Sequence, residues 1–289
     1  MKNQEINCCI CLCVYNNERG LPAVLNNANS LTSIFNKIKI LVFYDHSHDN
    51  SLQILNVYNS KYNNMEIFIN EKKISNSSVV NIAYARNGLL QMIRDKYSNC
   101  NYDYFMMMDS NEYSCVGELN IKVLREVLER NDWDAVSFDR EAGYYDYWAL
   151  SYDPLIYSFF HFDNEYNYNY LLEIMVKDFQ KRFEEFKLSN PDELFPVYSA
   201  FNGCALYRCS KFLNCSYSSD INQKLFPEET LRKNEELFNS KISNRLTDDC
   251  EHRKFHLDAI SKNQAKIMIN PKSLFKKVEN PPTGLRGPC

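Results

Sequence analysis

From Ile6 to Met108, short apolar runs alternate with stretches of helical spacing, and that alternation constrains the fold more than any other feature of the chain. Ile6–Tyr15, Ile38–Tyr44, Met65–Ile69 and Tyr102–Met108 read as strands, with apolar residues at helical spacing between them at Leu21–Phe35, Ser51–Lys61 and Val79–Lys96. Strands that are each followed by a helix predict an α/β, Rossmann-like fold with a mainly parallel central sheet and helices on both faces. In such a sheet ligands collect at the carboxyl ends of the strands.

Beyond Asp109 the order loosens. A helix is expected over Ile121–Arg130, a strand over Ala135–Phe138, an aromatic block over Tyr144–Leu150, and a helix at the charged end of Tyr166–Leu188. Phe201–Tyr207 reads as a strand, Asp248–Ser261 as a helix, and Ala265–Asn270 as the last strand before Pro271. The Pro/Gly-dense tail Asn280–Pro288 reads as irregular. There is no internal repeat and no linker that would separate independent domains.

Composition excludes several classes. At 289 residues, with 45% hydrophobic and 24% charged, the chain can bury a sizeable core. A net charge of −4, with Lys and Arg scattered, provides no basic stripe for a nucleic-acid backbone, so no nucleic-acid partner is expected. The apolar run Ile6–Tyr15 contains Asn7 and is far shorter than the roughly 20 residues that span a bilayer. It reads as a core strand rather than a leader, and no transmembrane segment is expected. Eleven cysteines, an odd number, fall mostly inside predicted elements, with Cys8, Cys9, Cys11 and Cys13 on one strand. Alternate residues of a strand cannot all bridge one another, so free buried thiols in a reducing, cytoplasmic compartment are expected. Nothing in the sequence indicates an oligomeric state.

The segment Tyr104–Glu112 carries the main chemical signal. An apolar strand empties into Asp109, Asn111 and Glu112, hard oxygen ligands suited to Mg²⁺ or Mn²⁺, and a spacing of two directs Asp109 and Asn111 the same way. An ordinary polar turn after a strand would give the same residues.

Four blocks in order resemble the GT-A fold of nucleotide-sugar glycosyltransferases: Cys13-Val-Tyr-Asn-Asn-Glu18, Tyr44-Asp45 with Ser47-His-Asp-Asn-Ser51, Ala85-Arg-Asn87, and Met108-Asp-Ser-Asn-Glu112. Later stretches, Gly143–Leu150, Asn202–Tyr207, Cys250-Glu-His252 and Ile267–Pro271, are similar to cryptococcal-type α-1,3-mannosyltransferases and their bacterial and viral relatives. The resemblance runs from about Ile6 to Leu274 and rests on the order of the blocks. It implies a GT-A type Rossmann-like domain in two halves, residues 1–142 binding the donor and 143–289 the acceptor, continuous with each other.

By the same resemblance, Tyr15 and Asn16 line a nucleotide pocket, and Asp45 accepts hydrogen bonds from the base or ribose; a helix cap near Ser51 is the other use for that Asp. Arg86 sits near the diphosphate or the donor sugar, where its planar fork matches phosphate oxygens, or else forms a surface ion pair. Asp109, Ser110 and Asn111 form the strand-end motif, with Asp109 the primary metal ligand. Asn111 stands where the family has a second Asp, so either Glu112 or the donor diphosphate would complete the coordination, or metal dependence is weak. Cys250-Glu-His252 offers Glu251 or His252 as general base, or His252 as a third metal ligand, an exposed helical histidine being the bland alternative. Asp248 and Asp249 read as charges that favour a helix N-terminus. In the aromatic block most rings are core, and Tyr145, Asp146 and Trp148 are the residues expected to meet a sugar, with Asp146 orienting hydroxyls or acting catalytically.

The resulting expectation is a glycosyltransferase that moves a hexose from a nucleoside diphosphate sugar to a carbohydrate hydroxyl with Mn²⁺ or Mg²⁺, in polysaccharide biosynthesis; retention and transfer of mannose are what the narrower resemblance favours. A nucleotidyltransferase is a rival, although Asn16-Asn-Glu-Arg-Gly20 is a poor version of the Gly-rich loop such enzymes carry. A glycan-binding descendant without catalysis is a second rival, raised by Asn111.

Overall fold

The computed structural model describes residues 6–97, 102–162, 168–220, 223–243 and 248–276; the predicted irregular tail lies outside them. One eight-stranded sheet organises the chain, in the order β3-β2-β1-β4-β7-β5-β8-β6. The strands are β1 (Asn7–Val14), β2 (Lys37–Asp45), β3 (Met65–Asn70), β4 (Tyr104–Asp109), β5 (Ala135–Asp139), β6 (Phe195–Val197), β7 (Cys204–Arg208) and β8 (Ile267–Ser273). β1 pairs in parallel with β2 and β4, β2 with β3, and β5 with β8, whereas β7 runs antiparallel to β4 and β5, and β6 antiparallel to β8. The sheet is therefore mostly parallel, as the alternation predicted.

The period of two along β1 divides the core. Cys9 and Cys11 join the packing on one face, while Cys8, Ile10, Leu12 and Val14 join it on the other. The second face is covered by α1 (Leu21–Ser30), α2 (Ser51–Tyr62) and α4 (Ile121–Leu128), through Leu21, Val24, Leu25 and Ala28, Leu55, and Val123, Leu124 and Val127. The first is covered by α3 (Ser78–Met92), α5 (Tyr168–Ser189) and α8 (Glu251–Asn263), through Leu89 and Leu90, Phe179 and Phe183, and Phe255 and Ala259. Burial on both sides explains why these strands read as continuous apolar runs. All nine described cysteines are free, and burial pushes the Cys8 and Cys11 thiols well above their ordinary range. No described helix is long and apolar enough to cross a membrane.

Several boundaries moved for identifiable reasons. The strand expected from Phe201 begins at Cys204, because Asn202 (φ 55°) and Gly203 (φ 85°) form a left-handed turn that no strand accommodates. β8 runs through Pro271 to Ser273: the register shifts between Phe138 and Asp139 of β5, and the proline sits in that bulge where no ladder N–H is required. Three further elements carry little sequence signal: β6, the short α6 (Cys209–Phe212), and α7 (Glu228–Phe238), a charged surface helix with only Asn234 and Phe238 buried.

Topology then selects one location. The chain proceeds outward from β1 to β2 and β3, then returns to place β4 on the other side of β1. The carboxyl ends of β1 and β4 thus flank a switch point, where an α/β sheet leaves a crevice.

Candidate donor-binding site

Two loops meet beside that crevice. After β1 the chain turns at Asn16 (φ 53°), whose N–H donates to Ser47 Oγ at 3.0 Å while its Oδ1 accepts from His48 N at 2.8 Å. Asn17 N donates to Ser51 Oγ at 2.9 Å, and Glu18 N to Asp49 Oδ2 at 2.9 Å. Asp49 Oδ1 also accepts from Ser51 N at 3.0 Å, so Asp49 supplies the carboxylate at the start of α2. Asp45 makes no such cap; its Oδ1 accepts from Asn70 Nδ2 at 2.6 Å at the end of β3. Tyr15 stands 55% exposed above this frame, an aromatic face with nothing of the protein over half of it.

The end of β4 is tied into the same frame. Ser110 is buried and its Oγ donates to Cys13 O (2.6 Å) or Asn17 Oδ1 (2.7 Å), joining the β4 and β1 loops. Gly20 lets the turn close: a Cβ there would lie 2.4 Å from the Asn111 carbonyl carbon and oxygen. Asn111 does not extend a free oxygen, since its Oδ1 accepts from Tyr113 N (3.1 Å) and Ser114 N (2.8 Å). Glu112 lies 3.6 Å from Arg19.

Asp109 is the carboxylate on the crevice side. Its backbone N–H donates to Gly203 O at 2.8 Å, its Oδ1 lies 3.3 Å from Arg86 Nη2, and its Oδ2 accepts from Tyr145 Oη at 3.5 Å. Desolvation, only partly offset by Arg86 and reinforced by Asp146, pushes its pKa up to about 6. The side chain keeps 27% of its exposure, so solvent screens part of that effect. A carboxylate held in this way gains from an added cation.

Arg86 is no surface residue. It is 5% exposed, and its Nη1 contacts both Glu251 Oε1 and His252 Nε2. The Phe201 and Tyr217 rings face its Cζ at 4.6 and 5.7 Å, and its Nε has no hydrogen-bond partner. Burial alone would depress Arg86, but Asp109 and the surrounding acidic groups outweigh it. Glu251 and His252 open α8 and are 5% and 1% exposed. Burial, Arg86 and His256 hold His252 well below the ordinary imidazole range, so it is neutral at physiological pH. Asp249, expected as a charge favouring the helix N-terminus, lies just before α8 and is buried. It accepts from Arg253 Nε at 2.8 Å, and Arg253 in turn reaches the carbonyls of Trp148, Leu150 and Ile156.

Across the crevice lies the aromatic block. Tyr144, Tyr147, Tyr152, Tyr157 and Phe159 are core, whereas Tyr145, Asp146 and Trp148 are half-buried. Asp146 Oδ1 accepts from Ala149 N and Oδ2 from Asn202 N, both at 3.3 Å, and Asn202 Oδ1 accepts from Tyr145 N at 3.1 Å. Burial raises the Asp146 pKa, with the two backbone donors and Arg86 opposing it. Gly203 is needed here, since a Cβ would press on Tyr145 Oη and the Ser114 side chain.

The structure thus brings together Asp109, Arg86, Glu251, His252, Tyr145 and Asp146, and beside them a loop frame with Tyr15, Asn16, Asp45 and Ser110. Sequence reasoning missed Asn17, Asp49 and Ser51, which brace the frame, and Tyr217, which faces Arg86 from the far end of the chain without any local motif. Among the described residues, no group of three or more His, Cys, Asp or Glu side chains is placed to hold a metal ion.

No protein-family model and no curated protein matches the chain. Solved structures do. S. aureus TarS is 15% identical with a TM-score of 0.51, the match covering 94% of this chain and 37% of that one. TarS 1-349 in complex with UDP is 13% identical with a TM-score of 0.50, covering 93% and 59%. The mannosyltransferase PcManGT from Pyrobaculum calidifontis, in complex with GDP-Man and Mn²⁺, is 10% identical with a TM-score of 0.43, a likeness too low to carry an argument. The chain therefore spans less than two thirds of the length of the structures it matches. At these identities the likeness shows the fold, the GT-A type Rossmann-like α/β architecture.

Proposed function

We propose that the chain is a glycosyltransferase that takes a sugar from a nucleoside diphosphate donor seated at the carboxyl ends of β1 and β4. The observation that carries this reading is Asp109: a partly exposed carboxylate at the switch point, short of positive charge, with Arg86 beside it and an exposed aromatic, Tyr15, on the adjoining loop. TarS 1-349, of the same fold, is solved in complex with UDP, which supports a nucleotide as ligand.

In this reading Tyr15 stacks on the base, and Asn16 and Asp45 border it with hydrogen-bonding oxygens. The residues fit a divalent cation through Asp109. Asn111 Oδ1 is committed to its turn and His252 Nε2 to Arg86, so Asp109 is the residue of this set that would hold the cation. Such a cation neutralises charge on the leaving diphosphate. Arg86, already fixed, adds positive potential beside Asp109. Tyr145 and Trp148 form the wall that excludes water, and Asp146, oriented by two backbone donors, faces the hydroxyls of donor sugar or acceptor. The 1–142 half supplies the donor frame and the 143–289 half the acceptor wall, with transfer of mannose to a carbohydrate as the finer expectation.

Titrating UDP- and GDP-sugars by calorimetry with and without Mn²⁺, followed by assay for transfer or hydrolysis, tests the reading. Donor binding with turnover supports it. Metal-independent glycan binding with no turnover would assign the chain to binding alone.

A further inference from the structure

Glu251 and His252 are of the residue types that serve as acid and base, yet both are packed for another task. A general base must come within about 2.6–3.2 Å of the proton it removes. Glu251 Oε1 is taken by Arg86 Nη1, and Oε2 has the Cys250 thiol 3.8 Å away, inside a residue that is 5% exposed. His252 Nε2 faces the same Arg86 nitrogen. A guanidinium can only donate, so that nitrogen accepts and the neutral ring carries its hydrogen on Nδ1, which is buried without a partner. The ring is stacked on Phe201 at 4.0 Å and set edge-on to Tyr217 at 5.4 Å. Neither group opens to the crevice; what both reach is Arg86.

We propose that Glu251 and His252 are positioning residues, which lock the Arg86 guanidinium so that its second nitrogen holds Asp109 in place at the end of β4. The inference rests on reading Asp109 as part of the donor site. An unrestrained arginine has many rotamers to lose. Here Glu251 and His252 fix Nη1 and the two aromatic faces fix the plane, leaving Nη2 directed at Asp109, 3.3 Å away. The first turn of α8 thereby acts on the donor through a residue 165 positions earlier. A lysine would lack the fork that makes both sets of contacts at once.

The test is a kcat-against-KM split in Glu251→Gln and His252→Phe, the latter keeping the stacking while removing the ring nitrogens, with calorimetric affinity for the nucleoside diphosphate that the wild type binds best. Positioning weakens donor affinity, by about tenfold in Glu251→Gln, the scale of one charge-assisted hydrogen bond. In both variants donor KM rises more than kcat falls. Adding Glu251→Gln to Arg86→Met costs little further affinity, because the contact is already gone. A loss of about 10²–10⁴ in kcat at wild-type donor affinity, in either variant, identifies a general base and overturns the proposal. If the wild type binds no nucleoside diphosphate or its sugar, the donor-site reading falls first and takes the inference with it; if the wild type binds and the variants lose kcat alone, only the inference falls.

Discussion

The two sides of the crevice are built by different physics. On the β1–β2 side, short polar side chains, Asn16, Asn17, Ser47, Asp49 and Ser51, satisfy backbone N–H groups of these loops, and all but the buried Ser51 keep some contact with water. On the α8 side, full charges are buried among rings: Arg86 between Glu251 and Asp109, and Arg253 on Asp249, with Phe201 and Tyr217 packed around Arg86. Each neutral hydrogen bond is worth about 1 kcal/mol net, and losing one loosens a loop. Stripping one partner from a buried ion pair leaves an uncompensated charge and costs several times more. The contrast teaches that the loop frame tolerates single changes, whereas the charged side behaves as one unit.

Replacing Arg86 by Met attacks that unit at its centre and has the largest expected effect. Glu251 and Asp109 lose their shared partner, and urea denaturation should show a loss of about 3–5 kcal/mol. Asp109→Ala removes one charge but relieves crowding, so the fold should survive; the expected result is loss of Mn²⁺-dependent donor binding and a fall in turnover of about 10²–10³-fold, read by calorimetry and transfer assay. Gly20→Ala drives a methyl into the Asn111 turn and should cost about 1–3 kcal/mol by thermal melting, a larger penalty than its size suggests. Ser47→Ala, on the open side, should cost only about 1 kcal/mol. A loss equal to that of Arg86→Met would erase the contrast between the two sides.

The smallest effect is a dependence on pH. Burial would raise the Asp249 carboxyl, but Arg253 and His161 outweigh it and hold the pKa below the ordinary carboxylate value. A depressed acid stabilises the fold above its unfolded pKa of about 3.9, and that contribution disappears as pH falls through the lower folded value. Acid denaturation curves of Asp249→Asn should therefore lack this part of the slope below about pH 4.

Most of the β1–β4 side was legible because its signals are local. The runs 8–14 and 104–108 are apolar throughout and end abruptly in polar residues, and the crevice follows from where those ends lie. That most rings of the aromatic block are core was also legible, and Tyr144, Tyr147, Tyr152, Tyr157 and Phe159 are buried there. The α8 side was legible only as residue types. That Arg86 meets Glu251 and His252, 165 and 166 positions away, depends on how α3 and α8 pack on the same face of the sheet, and no spacing in the sequence encodes it. Tyr217 gave no signal, since one aromatic in a polar stretch looks the same whether it faces an arginine or solvent. β6 was missed because three residues containing Pro196, at the sheet edge, are too few to show a period.

Hydrogen–deuterium exchange on adding a nucleoside diphosphate sugar with Mn²⁺ tests the placement of the donor most directly, because the loops of the open side have exchangeable amides at each strand end. Slowed exchange concentrated in residues 15–18, 45–51 and 109–114 and in the first turn of α8 is expected, and it should vanish in Asp109→Ala. Binding that leaves those amides unchanged and protects another part of the sheet would contradict a donor site at the ends of β1 and β4.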